Sequence, residues 1–197
     1  TDERRQAIIS AAAELFKELG YERASMAGIS ARVGGSKATL YSYFANKEEL
    51  FAAVMTSAIE QQAEQIIDLL APEGGDVRSQ LLAFGHAYLD LVLSPEVLAF
   101  SRLGISEGSG GKLGPTFYNM GPRRGLLEIC AHIERLRDSG VLEVPDTKLA
   151  TVQLKALLEA GTLEPAMYGA AAFVSRETAV LGAVDAFLGQ YLPKVQK

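Results

Sequence analysis

SMAGISARVGGSKATLYSYFANKEELF, Ser25 to Phe51, is punctuated in a way that decides the fold. Ser25 can cap a first helix, because its hydroxyl accepts one of the backbone N–H groups that a helix start leaves unpaired. Ile29 and Val33 then stand four apart on one face. Gly34 and Gly35 break that helix, since glycine admits the positive φ of a sharp helix-to-helix turn. Ser36 is placed to cap a second helix, in which Leu40 and Phe44 turn inward at i, i+4 spacing. Lys37, Thr39, Tyr41, Ser42 and Tyr43 form its polar strip. Asn46, with Glu49 three residues on, makes a capping box for the next helix. Three helix starts this close together describe a helix-turn-helix with a scaffold helix attached.

The charge pattern agrees. From Arg23 to Lys47 the basic residues are Arg23, Arg32, Lys37 and Lys47 with no acid, a local charge of +4 on a chain whose net charge is −5. A basic stripe on an acidic protein suits phosphate contact, because neutralising phosphates releases their counterions.

GYERASMAGISARVGGSKATLYSYFANKEELF resembles the DNA-binding domain of the TetR (tetracycline-repressor) family of bacterial transcription regulators, from about Ile8 to Phe51. The run S-x-x-T-L-Y-x-Y-F-x-x-K-E-x-L is specific. The resemblance implies that Lys37, Ala38 and Thr39 approach base edges, with Ser36 heading that helix. It implies that Tyr41, Tyr43 and Lys47 hold phosphates and that Ser25 adds a phosphate contact at a helix start. Gly35 departs from the family, which more often has Val there. The expectation is a missing apolar contact in the turn and a looser recognition helix.

With 197 residues, 48% of them hydrophobic, the chain can bury a full core. It has no apolar run of membrane-spanning length and no signal-peptide pattern, so the expected location is cytoplasmic. The single cysteine, Cys130, excludes an internal disulfide and sits in an apolar helical pattern. His86 and His132 have no metal-ligand neighbours, and neither a metal nor a cofactor is expected.

The rest of the chain reads as helix, giving an all-α fold. A first helix runs from Glu3 to Leu19, with Gly20 ending it. From Lys47 to Leu70 neither Gly nor Pro interrupts the pattern, so one long helix is expected, closed by Pro72, Gly74 and Gly75. Further helices are expected from Val77 to Leu93, from Pro95, from Thr116 to Asp138 with an interruption at Gly121 and Pro122, from an Asp146 cap to about Leu163, and from Ser175 onward. A glycine-rich connection, EGSGGKLGP, precedes Thr116. The domain reading is 1–46 for the helix-turn-helix head and 47–197 for a helical-bundle body, with 47–70 as the connecting helix.

LSPEVLAFSRL, FYNMGP and AVDAFLGQY, within about Val77 to Leu192, resemble the ligand-binding and dimerisation domain of the AefR-like TetR subgroup. In that picture the helices Lys148–Leu163 and Arg176–Leu192 pair with their copies in a homodimer. Their apolar residues cover more than one face, and Ala156, Ala160, Gly161, Ala179, Gly182 and Ala183 permit close approach. The remaining helices should enclose a pocket. Its candidates are Phe84, Tyr88, Phe100 and Arg102, then Phe117, Tyr118, Met120 and Tyr168, with His132 and Glu159 as further polar contacts.

The expectation is a ligand-responsive repressor that binds a palindromic double-stranded DNA operator as a homodimer and is released by a small, largely apolar effector. A helical ligand-binding protein without specific DNA binding is the alternative. The chain carries no nucleophile elbow, phosphate-binding Gly loop or HExxH, so an enzyme is not expected.

Overall fold

The computed structural model describes residues 1–70, 76–108 and 113–193. The turn expected at Pro72, Gly74 and Gly75 and the centre of the glycine-rich connection lie outside them. Every regular element among the described residues is a helix.

The head is built from α1 (Asp2–Arg23), α2 (Met26–Val33) and α3 (Lys37–Tyr43) on the start of α4 (Lys47–Asp68). Its starts are those the local sequence specifies. Ser25 Oγ accepts from Gly28 N at 3.1 Å, Ser36 Oγ from Thr39 N at 3.1 Å, and Asn46 Oδ1 from Glu49 N at 2.7 Å. Glu49 closes the capping box on the N–H of Ala45, one residue earlier than expected.

α1 continues past Gly20, which kinks it at φ 77°, for one more turn. Tyr21 holds that turn down. Its ring lies edge-on to Phe51 at 4.8 Å and stacks on Phe16, and its hydroxyl donates to Glu48. Of the glycine pair, only Gly34 uses positive φ (69°).

The body consists of α5 (Val77–Val92), α6 (Pro95–Gly108), α7 (Leu113–Met120), α8 (Pro122–Asp138), α9 (Thr147–Glu159), α10 (Leu163–Met167) and α11 (Arg176–Tyr191). The helix expected to reach Leu163 stops at Glu159. Gly161, at φ 71°, turns the chain, and its carbonyl accepts from Phe173 N at 2.8 Å.

Buried apolar residues form two clusters. One gathers α1 to α4 around Ile8, Phe16, Ile29, Phe44 and Leu50, and extends into the body through Phe100 and Phe117. The other gathers α5, α8, α9 and α11 around Phe84, Ile133, Leu154, Val184 and Phe187. Gly85 lets α5 settle there. A Cβ on it would stand 2.8 Å from Val180 Cγ1 and 2.9 Å from Leu158 Cδ2, too close without repacking two helices.

His132 lies in that second region, 1% exposed, with neither ring nitrogen hydrogen-bonded. Burial, with a smaller contribution from Arg135, lowers its pKa from 6.5 to about 4. A depressed basic pKa means that the unfolded chain takes up a proton first as pH falls. The His132 contribution to stability is therefore full above pH 6.5 and declines as pH drops toward about 4. We expect the loss to total about 3 kcal/mol. His132→Leu, compared with the parent by denaturant unfolding across that range, should lack this component and be the more stable protein at the acid end.

Candidate nucleic-acid interface and effector cavity

α3 displays Lys37, Ala38, Tyr41 and Ser42 to solvent, while Leu40 and Phe44 anchor it to the head. Thr39 is half-buried, its hydroxyl 2.9 Å from that of Ser36, and Ser42 donates to the Thr39 carbonyl at 2.7 Å. Ser30 Oγ donates to the Gly35 carbonyl at 2.9 Å, which fastens the turn between α2 and α3. Ser25 stands exposed at the start of α2, and Tyr43 is half-buried. The short helix is thus pre-ordered, with one face bare.

Two of the expected phosphate-seeking cations are engaged elsewhere. Arg32 donates through both terminal nitrogens to Glu18, at 2.9 and 2.8 Å, and holds that carboxyl below its usual range. Lys47 turns inward. Its ammonium lies 3.0 Å from the Tyr21 carbonyl, 3.3 Å from that of Ala24, and 4.2 Å from the centre of the Tyr21 ring. There it closes the carbonyl end of α1 onto α4, a bond that links two helices and that spacing along the chain does not reveal.

A cavity of about 370 Å³ opens between α4, α5, α6, α8 and α9. This is within the size range of small-molecule sites. Four of the expected residues, Phe84, Tyr88, Phe100 and Met120, are on its wall. The other four are not. Phe117 is buried against Phe100 and Gly104 on the head side, and Tyr118, next along α7, is half exposed. Arg102 donates to the carbonyls of Met167 at 2.9 Å and Ala166 at 2.6 Å, closing the end of α10, and Tyr168 just beyond is 84% exposed. His132 does not line it either.

The polar end of the cavity belongs to α5 and α9. The Tyr88 hydroxyl donates to Glu159 Oε1 at 2.6 Å, and Lys155 Nζ donates to Oε2 at 2.6 Å. Burial, then the Glu159 charge, pushes the Tyr88 hydroxyl well above its ordinary pKa, so it stays protonated as a donor. The sequence reading missed Lys155, although its place one turn before Glu159 marks a pair. It also missed the α4 wall of Thr56, Ile59, Ile66 and Ile67, among which the Thr56 hydroxyl is buried without a partner.

A capped helix-turn-helix head joined by one long helix to a helical body with an apolar cavity is the architecture of a DNA-binding regulator. The chain matches the bacterial regulatory proteins of the tetR family over residues 8–54 and the C-terminal domain of AefR-like transcriptional repressors over 79–193. It belongs to the TetR family, with an AefR-like C-terminal domain. Among solved structures, a TetR-family regulator from Mesorhizobium loti is 27% identical, with 98% of each chain covered and a TM-score of 0.80. The flavonoid-responsive regulator FrrA is 28% identical over 99% of this chain and 100% of its own, with a TM-score of 0.73.

Among curated relatives, the transcriptional activator FasR of Mycolicibacterium smegmatis is 35% identical over 91 residues, 46% of this chain and 41% of that protein. The match therefore spans well under half of FasR. The transcriptional repressor AcnR of Corynebacterium diphtheriae is 28% identical over 159 residues, 76% of each.

If Lys47 serves the head's architecture, Lys47→Ala should lower the stability of the folded protein by about 1.5 to 3 kcal/mol, the range for a charged hydrogen bond. Urea unfolding without any DNA present measures this, and an unchanged midpoint would return Lys47 to the surface.

Proposed function

We propose that the protein is a ligand-responsive transcriptional repressor that binds a near-palindromic operator as a homodimer and is released by a small, largely apolar effector. The observation that carries the reading is the coincidence of a bare, pre-ordered α3 face at one end of α4 with an apolar cavity walled by the other end. Lys37, Ala38 and Thr39 read bases. Ser25, Ser36, Tyr41 and Tyr43 position the head on the backbone, with Lys47 supporting it from inside. The domain division remains 1–46 and 47–197, and the location is the cytoplasm. The AefR-like family of regulators favours a binding role over catalysis, and we assign no enzymatic activity.

Dimerisation uses α9 and α11. On their outer faces Leu149, Val152 and Leu181 are each more than a third exposed, beside exposed Ala156, Ala160 and Gly182. Ala179 and Ala183 face inward, and Gly161 serves a turn. A twofold dimer sets two recognition helices toward successive major grooves about 34 to 36 Å apart. Leu181→Arg combined with Val152→Arg should yield a monomer by sedimentation, a dimer being the result that rejects this surface.

The effector is a neutral or weakly polar molecule, because the Glu159 charge is already matched by Lys155 and most of the wall is apolar. FrrA, responsive to flavonoids by its name, supports a cavity of this kind. A ligand that prefers one arrangement of the body shifts α4 and with it the spacing of the heads. A coupling of about 1 to 3 kcal/mol changes DNA affinity roughly 5- to 150-fold.

The test is binding to DNA from upstream of the protein's own gene, with unrelated competitor present. Tight, competitor-resistant binding is expected from the parent. Lys37→Ala with Tyr41→Ala should lose at least roughly ten-fold in affinity, as expected when base and phosphate contacts go together, while remaining dimeric. Unchanged affinity in that double variant would reject the assigned face.

A further inference from the structure

Gly35 has no conformational reason to be glycine. Gly34 supplies the left-handed residue of the turn, and Gly35 has an ordinary φ that any side chain can adopt. What a side chain there would meet is Arg4. A Cβ on Gly35 would stand 2.5 Å from Arg4 Nη2 and, its chain neighbours aside, would meet only the same guanidinium within 4 Å among the described residues. The space left by the missing side chain is therefore filled by a cation, and the turn is covered by Arg4 rather than loosened.

Arg4 reaches this place from the first turn of α1. It borders one small niche with Gly35, Ser36 and Thr39, beside the residues that face DNA. Among the described residues no carboxylate lies within 4.0 Å of its guanidinium, although Asp2 and Glu3 share its turn. Arg32, nearby on α2, is by contrast held by Glu18 in a two-pronged pair. Arg5 is occupied differently, its guanidinium lying over the Phe44 ring at 5.1 Å. Of these three arginines, Arg4 alone has neither a carboxylate nor an aromatic ring against its guanidinium among the described residues.

We propose that Arg4, seated in the slot that Gly35 leaves open, is a phosphate-binding residue of the DNA interface, and that Gly35 and Arg4 work as one unit. The inference rests on the DNA-binding reading above and extends it to a contact made from α1. A planar guanidinium offers paired donors to phosphate oxygens, and its position on α1 rather than α3 makes the contact independent of base sequence. A larger residue at position 35 would push the guanidinium out of the slot at little cost in stability, because only the far end of a flexible side chain has to move.

The experiment is a salt series of binding by the full chain, using the DNA fragment that the parent binds and an unrelated duplex of equal length. Arg4→Ala should weaken binding to both duplexes and reduce the slope of log affinity against log salt by about 0.9 per head, one phosphate contact. Gly35→Val should do the same with an unchanged unfolding midpoint, and Gly35→Ala provides the same displacement with the least added bulk. The double variant Arg4→Ala, Gly35→Val should lose no more than either alone.

An unchanged slope in Arg4→Ala, or losses that add in the double variant, would overturn the proposal. A loss confined to the specific fragment would make Arg4 a base reader and overturn the phosphate assignment. If the parent binds neither this fragment nor any sequence selected from random DNA, the DNA-binding reading itself fails, an outcome distinct from the other two.

Discussion

α4 is the constraint on which the rest of the molecule depends. It is an unbroken helix of 22 residues, about 33 Å long at 1.5 Å per residue. Leu50 to Met55 are part of the head's core, while Thr56, Ile59, Ile66 and Ile67 face the cavity. Bending such a helix breaks backbone hydrogen bonds, whereas tilting it costs only repacking along its sides. A change in the cavity therefore reaches the head as a movement of the whole rod. The joint at its head end is fixed by the Asn46 cap and by the Lys47 ammonium on the carbonyls of Tyr21 and Ala24.

The body adds a second connection. Phe100 and Phe117, with ring centres 4.9 Å apart, carry α6 and α7 into the head's core, and Phe100 also faces the cavity. Arg102, two residues on, grips the end of α10. The head is thus held by α4 on one side and by the α6–α7 pair on the other. Two attachments determine a tilt where one would leave a swivel.

The residues legible in the sequence were those whose partners lie within a turn or two. The caps at Ser25, Ser36, Asn46, Asp146 and Ser175 each bond three residues ahead, so their chemistry is written locally. Apolar spacing likewise located the helices, since burial of one face repeats along the same element. Charge was misread because a local sum ignores partners elsewhere. Arg32 contributed to the basic stripe, yet Glu18 lies 14 residues earlier and neutralises it across two helices.

The cavity was half legible for a related reason. An aromatic residue in a helix pattern announces that it is buried, but not against what, and Phe84 and Phe117 are indistinguishable on that ground. Tyr168 was misplaced because Gly161 ends α9 early and sends the following segment outward. Gly35 stood out as a departure, but its explanation lay on another helix.

The sharing of Phe100 between the two regions has an evolutionary consequence. Leu91, Val97 and Leu126 line the cavity outside both buried cores, so substitutions there can reshape the cavity while leaving the packing of the head alone. Phe100 has no such freedom, because any variant that reshapes the chamber at that point also alters the packing of the reading head. Lineages descending from this protein should therefore reshape the cavity through the α5–α8 side, with drift at Phe100 curbed by selection on two traits at once.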